Sequence, residues 1–502
     1  MRKRPSPLTE GVPLSRRGLL VAGSGALLVL SGCGGSSPGP VTGSSTISDA
    51  PTGPVGLETR LRARPVTVEL GGATVETWAY DARIGGPELR LRAGQRLRAV
   101  LENALSQETT IHWHGIRLRN PMDGLPGITQ PPVKPGGSFI YDFVVPDPGT
   151  YFFHPHVALQ LDRGLYAPLV VEDPHEPLVY DAEAVLVLDD WLDGVAGTPE
   201  DALSRLASGV SGAGMQGMSG MPGMDGMGGS STMPGDRAGV LGGDLSYPLH
   251  LINGRPPADR LSVRARAGSR IRLRIVNAAS DTAYRFAVGG HRLRVTHADG
   301  WPVEPVEVDA LVIGMGERYD VLVEPRSGAW PIVARAEGKH GAAVAVLRTP
   351  DATGAAPPVS AAPRELGGTL LDARSLAPTA AARLREGTPD RTIRLALTGG
   401  MMSYDWGVDG RRYPDTPAIE LHEGERVRVE LENQTMMWHP IHIHGHTTAL
   451  QPTGVRRDTI KVLPHEIVAF DLFADNPGRW MLHCHNTYHL ARGMAVDVRY
   501  VT

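Results

Sequence analysis

The sequence has few cysteines, few aromatic residues and no hydrophobic run long enough to span a bilayer. Cys33 and Cys484 are the only cysteines among 502 residues, so a framework of several disulfides is excluded. The apolar stretch Leu19–Leu30 falls short of the roughly 20 residues that a transmembrane helix needs, which excludes a multispan membrane protein. The net charge is -4, and the chain beyond the basic residues 1–33 is more acidic still, which excludes nucleic acid as a partner.

The first 33 residues are predicted to be an export signal. Arg16 and Arg17 directly precede the apolar stretch, as in a twin-arginine signal. The tetrapeptide Leu-Ser-Gly-Cys that follows resembles a bacterial lipobox and predicts lipidation of Cys33; a cleaved signal with a free Cys33 thiol is the alternative. Residues 34–55, rich in Gly, Ser and Pro, are interpreted as a tether. We therefore expect a cell-envelope protein, held at the outer face of the cytoplasmic membrane by its lipid anchor only.

Cys484 has no disulfide partner if Cys33 is lipidated. A lone thiol in an oxidising compartment needs another role, and metal coordination protects the sulfur from oxidation. Thiolate sulfur is a soft ligand that suits copper. Twin-arginine export carries folded proteins, which also indicates a bound cofactor.

Short segments with alternating apolar and polar residues recur between Gly and Pro turns along the chain, and no long helical period competes with them. Examples are Val66–Leu70, Leu89–Arg92, Ile271–Ile275 and Arg426–Leu431. This pattern predicts an all-β protein built from β-sandwich or Greek-key barrel domains.

An internal repeat supports three related β units, because three segments share their Gly, Arg and apolar positions and an Asn follows each at the same spacing. The copies are residues 89–97, 263–271 and 419–427, followed by Asn103, Asn277 and Asn433. The expected units are residues 56–175, 176–350 and 390–502, with an Ala- and Pro-rich linker at 351–389.

The middle unit contains a methionine-rich segment, residues 215–233, in which Met-x-Gly triplets repeat. The triplet methionines are Met215, Met218, Met221, Met224 and Met227, and Met233 follows. The period of three and the Gly content exclude an amphipathic helix. A surface loop without a ligand is the simpler interpretation. Exposed thioethers gain no packing, however, and are soft ligands for Cu(I), so we favour transient copper binding.

Four His-x-His pairs predict a metal cluster. The pairs are His112 and His114, His154 and His156, His442 and His444, and His483 and His485. In a strand, residues i and i+2 point to the same face, so each pair presents two imidazoles side by side. Two pairs fall in the first unit and two in the third, which places the expected cluster at the interface between those units.

A second metal site is expected around Cys484. On a strand its sulfur points away from the flanking His483 and His485, so it must serve a different metal. His439, His489 and Met494 complete a His₂Cys set with a thioether, the ligand combination of a blue-copper electron-transfer centre. Zinc is the alternative, but it prefers four strong tetrahedral ligands and has no use for a thioether.

Together these motifs resemble the four copper motifs of three-domain, laccase-like multicopper oxidases, and most closely those of actinobacterial copper-resistance lipoproteins of the mycobacterial type. The motif residues are 112–115, 154–156, 439–445 and 483–494, and residues 299–303 and 316–321 resemble the middle domain of three-domain laccases. The resemblance implies an all-β fold of three consecutive cupredoxin-like Greek-key β-barrel domains. It also implies four copper ions: one type 1, one type 2 and two type 3.

The resemblance further implies which residues bind each ion. Type 1 copper would take His439, Cys484, His489 and Met494; type 2 copper would take His112 and His442. One type 3 ion would take His114, His154 and His485, and the other would take His156, His444 and His483. His446 matches no family ligand.

Reduction of O₂ to water requires protons, and Asp123 occupies the position of a family carboxylate near the type 2 copper. A turn-capping Asp is the alternative interpretation. Many bacterial relatives have a Glu directly after the last type 1 His, but that position is Leu490 here, so a second proton donor is unassigned. Met437 matches a methionine at the substrate Cu(I) site of some copper-efflux oxidases, but their nearby Asp is Thr435 here, and packing is the alternative role for Met436 and Met437.

The function expected from the resemblance is a cuprous oxidase that contributes to copper tolerance. It would couple one-electron oxidation of Cu(I), with Fe(II) and phenols as further reductants, to the four-electron reduction of O₂ to water. A laccase with an organic phenol as substrate is the first alternative, and a bulky, open type 1 pocket would support it. A copper-storage lipoprotein is disfavoured by the complete ligand sets, and a nitrite reductase by the third unit. A monomer is expected.

Overall fold

The computed structural model describes residues 52–209, 242–385 and 387–501. The predicted export signal, Cys33, most of the tether and the methionine-rich segment lie outside the described residues. The described residues form thirty β-strands joined by turns and loops, with two short α-helices and four short 3₁₀ helices. None of the helices in this part of the chain is long and apolar enough to cross a membrane.

The first unit consists of two four-stranded sheets that enclose one hydrophobic core. Its strands are β1 (Val55–Leu70), β2 (Ala73–Tyr80), β3 (Leu89–Arg92), β4 (Arg96–Asn103), β5 (His112–His114), β6 (Ser138–Val144), β7 (Gly149–His154) and β8 (Ala167–Glu172). One sheet has the order β2-β1-β4-β6 and the other β3-β8-β7-β5. Along β4 every second side chain is buried, the alternation expected of a strand with one face on the core.

The middle unit has a six-stranded and a five-stranded sheet. Its elements are β9 (Ala182–Trp191), α1 (Pro199–Ala207), β10 (Leu249–Ile252), β11 (Ser262–Arg264), β12 (Ile271–Asn277), β13 (Tyr284–Val288), β14 (Leu293–Ala298), β15 (Trp301–Val308), β16 (Leu311–Ile313), β17 (Arg318–Val323), β18 (Ala329–Ala336) and β19 (Ala342–Arg348). The sheet orders are β10-β9-β12-β17-β14-β15 and β11-β19-β18-β13-β16. Every residue of β12 is buried, because neighbouring units cover the face that would otherwise meet solvent.

The third unit repeats this plan. Its elements are β20 (Arg391–Gly400), β21 (Asp405–Val408), β22 (Ile419–Leu421), β23 (Arg426–Asn433), β24 (His439–Ile443), β25 (Thr448–Leu450), β26 (Val455–Arg457), β27 (Thr459–Val462), β28 (Ile467–Phe473), β29 (Arg479–Cys484), α2 (Thr487–Ala491) and β30 (Ala495–Tyr500). The sheet orders are β21-β20-β23-β28-β25-β26 and β22-β30-β29-β24-β27. Helix α2 begins where the Asn486 side chain accepts hydrogen bonds from the backbone of Tyr488 and His489.

The three repeated asparagines occupy one structural position. Each ends the corresponding strand, β4, β12 or β23, and its side-chain amide donates to backbone carbonyls of a turn across the unit. The acceptors include Val133 for Asn103, Ile313 for Asn277 and Val462 for Asn433. The sequence repeat therefore corresponds to a structural repeat that joins two turns in each unit.

The described residues between 351 and 385 contact both the middle and the third unit, as the Arg374–Glu466 pair shows for the third. They contain one turn of 3₁₀ helix, Arg364–Gly367, whose Leu366 is buried. The guanidinium of Arg285 donates to the Leu366 carbonyl at 3.1 Å, and Leu370 pairs with Ala310 as a single β-bridge.

Buried charged groups join the units to one another. The carboxylate of Asp320 in β17 accepts from Arg272 and Arg274 of β12, at 2.5 and 3.1 Å, and from the Thr150 hydroxyl of the first unit at 2.7 Å. Burial alone would raise the pKa of Asp320, but the two guanidinium groups hold it well below its usual range. Asp320 is therefore ionised and neutralises two buried cations at this interface.

We predict that Asp320→Asn destabilises the fold by about 3–5 kcal/mol, because two buried guanidinium groups lose their carboxylate. Since the pKa of Asp320 is lowered on folding, the stabilisation is present at neutral pH and is lost as the pH falls below about 4. Urea denaturation at pH 7 measures the difference. Glu430→Gln, which breaks the exposed pair with Arg394, should cost less than about 1 kcal/mol. Equal effects of the two substitutions would contradict the prediction.

Candidate metal centre

The His-x-His pairs lie on neighbouring strands of two sheets. In the first unit β5 pairs with β7, which places His112 opposite His154. In the third unit β24 pairs with β29, which places His442 opposite His483. The two strand pairs face each other across the interface between the units, as the sequence pattern predicts.

Three groups of imidazoles form at this interface, each with ligand nitrogens within 4.8 Å of one another. The groups are His112, His114 and His442; His114, His154 and His485; and His156, His444 and His483. The closest approaches join Nε2 of His483 to Nε2 of His444 at 3.0 Å and to Nε2 of His156 at 3.3 Å. His112 and His442 face each other through their Nε2 atoms at 3.4 Å.

The chemistry of these imidazoles fits metal ligands. Among the described residues, His114 Nδ1, His154 Nε2 and both ring nitrogens of His485 are buried without a hydrogen-bond partner. The other ring nitrogen of several of these histidines is bound to a backbone carbonyl, for example His154 Nδ1 to Pro155 at 2.9 Å. Such anchoring fixes the tautomer and aims the free nitrogen at a metal.

Burial also keeps these imidazoles neutral. Loss of water lowers the pKa of His154, His444 and His485 well below the usual value, and neighbouring imidazoles lower it further. Neutral imidazole is the metal-binding form of histidine, so the cluster does not have to release protons to bind metal at neutral pH.

Cys484 faces the other side of β29, as predicted. Its Sγ lies 3.5 Å from His489 Nδ1 and 3.7 Å from His439 Nδ1, and these three residues form a fourth potential metal group. Met494 is fully buried, and its carbonyl accepts from the Cys484 backbone at 3.0 Å. The Trp406 ring covers His489 at a centroid distance of 4.2 Å. The arrangement is a cysteine sulfur and two imidazoles, all buried, which is the strong-ligand set of a blue-copper site.

Two polar side chains, for which the sequence predicts no such role, bind the outer nitrogens of His489 and His439, meaning the Nε2 atoms that do not face Cys484. Asp244 Oδ2 accepts from His489 Nε2 at 2.8 Å, and Thr435 Oγ1 lies 2.8 Å from His439 Nε2. Burial would lower the pKa of His489, but the Asp244 carboxylate raises it to about 10 in the metal-free chain. Asp244 belongs to no motif, and only its position shortly after the methionine-rich segment could have suggested from the sequence that it lies near a copper site.

A buried ion pair from outside the four copper motifs supports the histidine cluster. Asp458 Oδ1 lies 3.3 Å from His114 Nε2, and the Asp458 backbone carbonyl accepts from His442 Nδ1 at 2.9 Å. Arg318 of the middle unit binds both carboxylate oxygens of Asp458, at 2.5 and 2.6 Å. Asp458 was not predicted, and no role was predicted for Arg318 although it lies in the motif of residues 316–321, because their contacts depend on how the units meet.

The side chain of Asp123 faces the cluster, and only its backbone takes part in the preceding turn, where the N–H donates to the Asn120 carbonyl at 3.1 Å. Its Oδ2 lies 2.8 Å from His444 Nδ1 and its Oδ1 lies 3.2 Å from His112 Nδ1, and the side chain is fully buried. His446 is turned away from the metal groups, since its ring nitrogens bind the His444 carbonyl and the Tyr500 hydroxyl. Met437 is partly buried and packs against the hydrophobic core.

A cavity of about 240 Å³ reaches the cluster beside four of its imidazoles. Its lining includes His154, His156, His483 and His485, together with Leu125, Ile128, Leu161, Met481 and Leu490. Leu490 thus contributes an apolar wall where many bacterial relatives would have a carboxylate. The cavity suits a small apolar molecule.

Comparisons with known proteins agree with this site. Family models described as multicopper oxidase match residues 62–176, 183–352 and 386–502. The multicopper oxidase MmcO of Mycobacterium tuberculosis is 42% identical over 497 residues, 97% of each chain. Copper resistance protein A of Escherichia coli is 29% identical over 88% of this chain and 92% of that protein. The structure of a mutant laccase from B. aclada covers 92% of this chain and 93% of its own, with a TM-score of 0.74 at 25% identity.

The chain belongs to the multicopper oxidase family. The expectation of a three-domain, laccase-like multicopper oxidase is confirmed, and so is the all-β fold of cupredoxin-like domains. As a multicopper oxidase the protein is an oxidoreductase with copper cofactors, O₂ as acceptor and a reducing substrate. The histidine groups at the interface and the Cys484 group fit copper.

We predict that Cys484→Ser abolishes the intense blue absorption that a copper–thiolate bond produces and lowers the copper content, because a hydroxyl is a poor soft ligand. The signals of the histidine cluster should persist, because Cys484 faces away from it. Optical and paramagnetic resonance spectra with metal analysis measure both effects. His422→Ala, at an exposed histidine, should change neither. A blue band that survives in Cys484→Ser would show that another residue binds this copper.

Proposed function

We propose that this multicopper oxidase is a cuprous oxidase that converts Cu(I) to Cu(II) at the expense of O₂. The bound ions would be one type 1, one type 2 and two type 3 coppers, held by the residues that the family resemblance assigns. When bound, they would supply one-electron oxidation at the Cys484 site and four-electron reduction of O₂ to water at the histidine cluster. The balance is four Cu(I), one O₂ and four protons consumed, with four Cu(II) and two waters formed.

The observation that carries the proposal is the burial of the type 1 imidazoles. The side chains of His439 and His489 have no exposed surface, and Thr435 and Asp244 occupy their outer nitrogens. A phenol that reacts at an open pocket would need contact with an exposed imidazole edge. Here an electron has to cross the residues that cover the two imidazoles. A small metal ion bound at the surface can supply that electron.

Three methionines of the third unit lie close in sequence to residues that bind or cover the proposed type 1 site. Met401 and Met437 are partly buried at the core that contains the Cys484 site, and Met436 is exposed close by in sequence. The described chain resumes after the methionine-rich segment at residue 242, only two positions before Asp244. On the other side of the segment, Gly209 lies beside the Met402 carbonyl. Met402 is two residues before Tyr404, and the Tyr404 hydroxyl donates to Asp244. Both flanks of the methionine-rich segment therefore lie at the electron-entry side.

The relatives' names support a role in copper tolerance, since one of them is a copper resistance protein. Fe(II) is a second candidate reductant, as the family resemblance implies. A laccase function remains the alternative, supported by the likeness to the B. aclada laccase. A storage role is disfavoured by the complete ligand sets. The proposal includes twin-arginine export, lipid anchoring through Cys33 at the outer face of the cytoplasmic membrane, and a monomeric state.

We predict fast O₂ uptake with Cu(I) as the reductant. Deletion of residues 215–233 should lower that rate roughly tenfold at low Cu(I), because tethered thioethers raise the local copper concentration. Uptake with Fe(II) or a diphenol should not change on deletion. An oxygen electrode with the copper-loaded full chain and the deletion variant makes the comparison. Uptake with diphenol alone would move the assignment to a laccase.

We predict that Asp123→Asn lowers kcat by about 10²–10⁴-fold with every reductant, because an amide cannot relay protons from the position where Asp123 contacts His112 and His444. Asp123→Glu should recover part of the loss. Turnover with Cu(I) and with a diphenol, compared in H₂O and D₂O, measures the effect. A loss confined to one reductant would assign Asp123 to substrate binding instead of proton delivery.

A further inference from the structure

Met436 and His465 lie side by side at the surface of the third unit. The Met436 Sδ is 3.1 Å from His465 Nε2, and both residues are exposed, with 76% of Met436 accessible. Met436 follows strand β23, and His465 lies between β27 and β28. The contact thus joins the tips of two turns that are distant in sequence.

Asn433 holds these two turns together. Its side-chain amide donates to the Met437 carbonyl at 2.7 Å in one turn and to the Leu463 carbonyl at 3.0 Å in the other. Its backbone N–H donates to the Glu466 carbonyl at 2.9 Å. The turn that carries Met436 is therefore fixed against the turn that carries His465, and the two side chains are preorganised as neighbours.

The other two units contain the same pair of turns with different residues. The backbone N–H of Asn103 donates to Gly137, and that of Asn277 to Glu317, as that of Asn433 does to Glu466. Counting from these contacts, the positions of Met436 and His465 hold Ser106 and Gly136 in the first unit, and Ser280 and Gly316 in the middle unit. Only the third unit places a thioether beside an imidazole at this point.

The backbone at this position favours glycine. The φ angles are 75° for Gly136 and 81° for Gly316, and His465 adopts the same left-handed region at 59°. A residue with a Cβ is strained there, whereas glycine is not. A Cβ at Gly136 would meet open space, so a larger side chain at this position of the first unit would gain no packing contact through its Cβ. The third unit thus tolerates strain at His465 and an exposed apolar side chain at Met436 without a packing gain.

We infer that Met436 Sδ and His465 Nε2 form a surface site for Cu(I), separate from the resident copper sites, which supplies substrate to the type 1 centre. A thioether with an imidazole is a soft ligand pair that suits Cu(I) better than Cu(II). The inference about supply rests on the proposed function, whereas binding at the pair does not.

The geometry also provides a path for the electron. Met436 is joined by one peptide bond to Thr435, whose Oγ1 lies 2.8 Å from Nε2 of the type 1 histidine His439. Cu(I) bound at the pair would pass one electron along this path to the proposed type 1 copper at His439. The Cu(II) that results prefers harder ligands and would leave the site.

Silver(I), a redox-inert ion of the same charge and softness, tests the binding. The host is the oxidised, copper-loaded full chain in which the six methionines of residues 215–233 are replaced by Leu. Met436→Ser and His465→Gly install the residues that the other two units use, so both variants should fold. Calorimetry should show one fewer Ag(I) bound by each variant than by the host. His175→Ala, at an exposed histidine elsewhere, should bind as the host does.

The same variants test the supply role. The KM for Cu(I) should rise roughly tenfold in Met436→Ser and His465→Gly, while kcat and KM for a diphenol stay unchanged. Equal Ag(I) binding by host and variants would overturn the site and leave the contact as an N–H···S hydrogen bond. Loss of Ag(I) binding with an unchanged KM for Cu(I) would overturn the supply role. Loss of Ag(I) binding in a host that does not oxidise Cu(I) would overturn the proposed function and keep the site.

Discussion

The exclusion of water from a set of neutral imidazoles is the constraint on which the rest of the structure depends. Burial and the neighbouring imidazoles both disfavour a protonated ring, so the imidazoles of the cluster are neutral, which is their metal-binding form. Several of the rings are held by their second nitrogen, which is bound to backbone carbonyls such as those of Pro155 and Asp458. Two rigid sheets have to meet face to face, because loops could not hold so many rings to one tautomer and one direction.

The middle unit explains how the other two are kept in that position. It supplies none of the four histidine pairs, yet its Arg318 binds Asp458 of the third unit. Asp458 in turn contacts His114 of the first unit and His442 of the third. The same unit joins the first through Asp320 and Thr150. Removing one partner of such a buried pair leaves an uncompensated charge, so these contacts fix the relative placement of the units more strictly than apolar packing would.

The sequence alone predicts the fold class, the repeat and the composition of both metal groups, because the two-residue period of a strand determines which side chains share a face. His483 and Cys484 show this directly, since adjacent positions on β29 serve opposite sides. Asp244, Thr435 and Asp458 could not be predicted, because each reaches an imidazole from a turn or a strand end that only tertiary packing positions. The full burial of His439 and His489 could not be predicted either, since burial depends on segments that have no motif.

Burial of the Cys484 site separates two tasks that an open pocket would combine. The buried residues set the copper environment, and the choice of reductant passes to the surface, where different side chains can change without disturbing the ligands. The turn pair of the third unit shows such a change against two internal references, because Gly136 and Gly316 satisfy the backbone where His465 does not. A local conflict between residue and backbone is expected where function, and not stability, selected the side chain. Substrate specificity in this oxidase is therefore to be sought in the exposed turns around His439 and His489, outside the ligand sphere that the family shares.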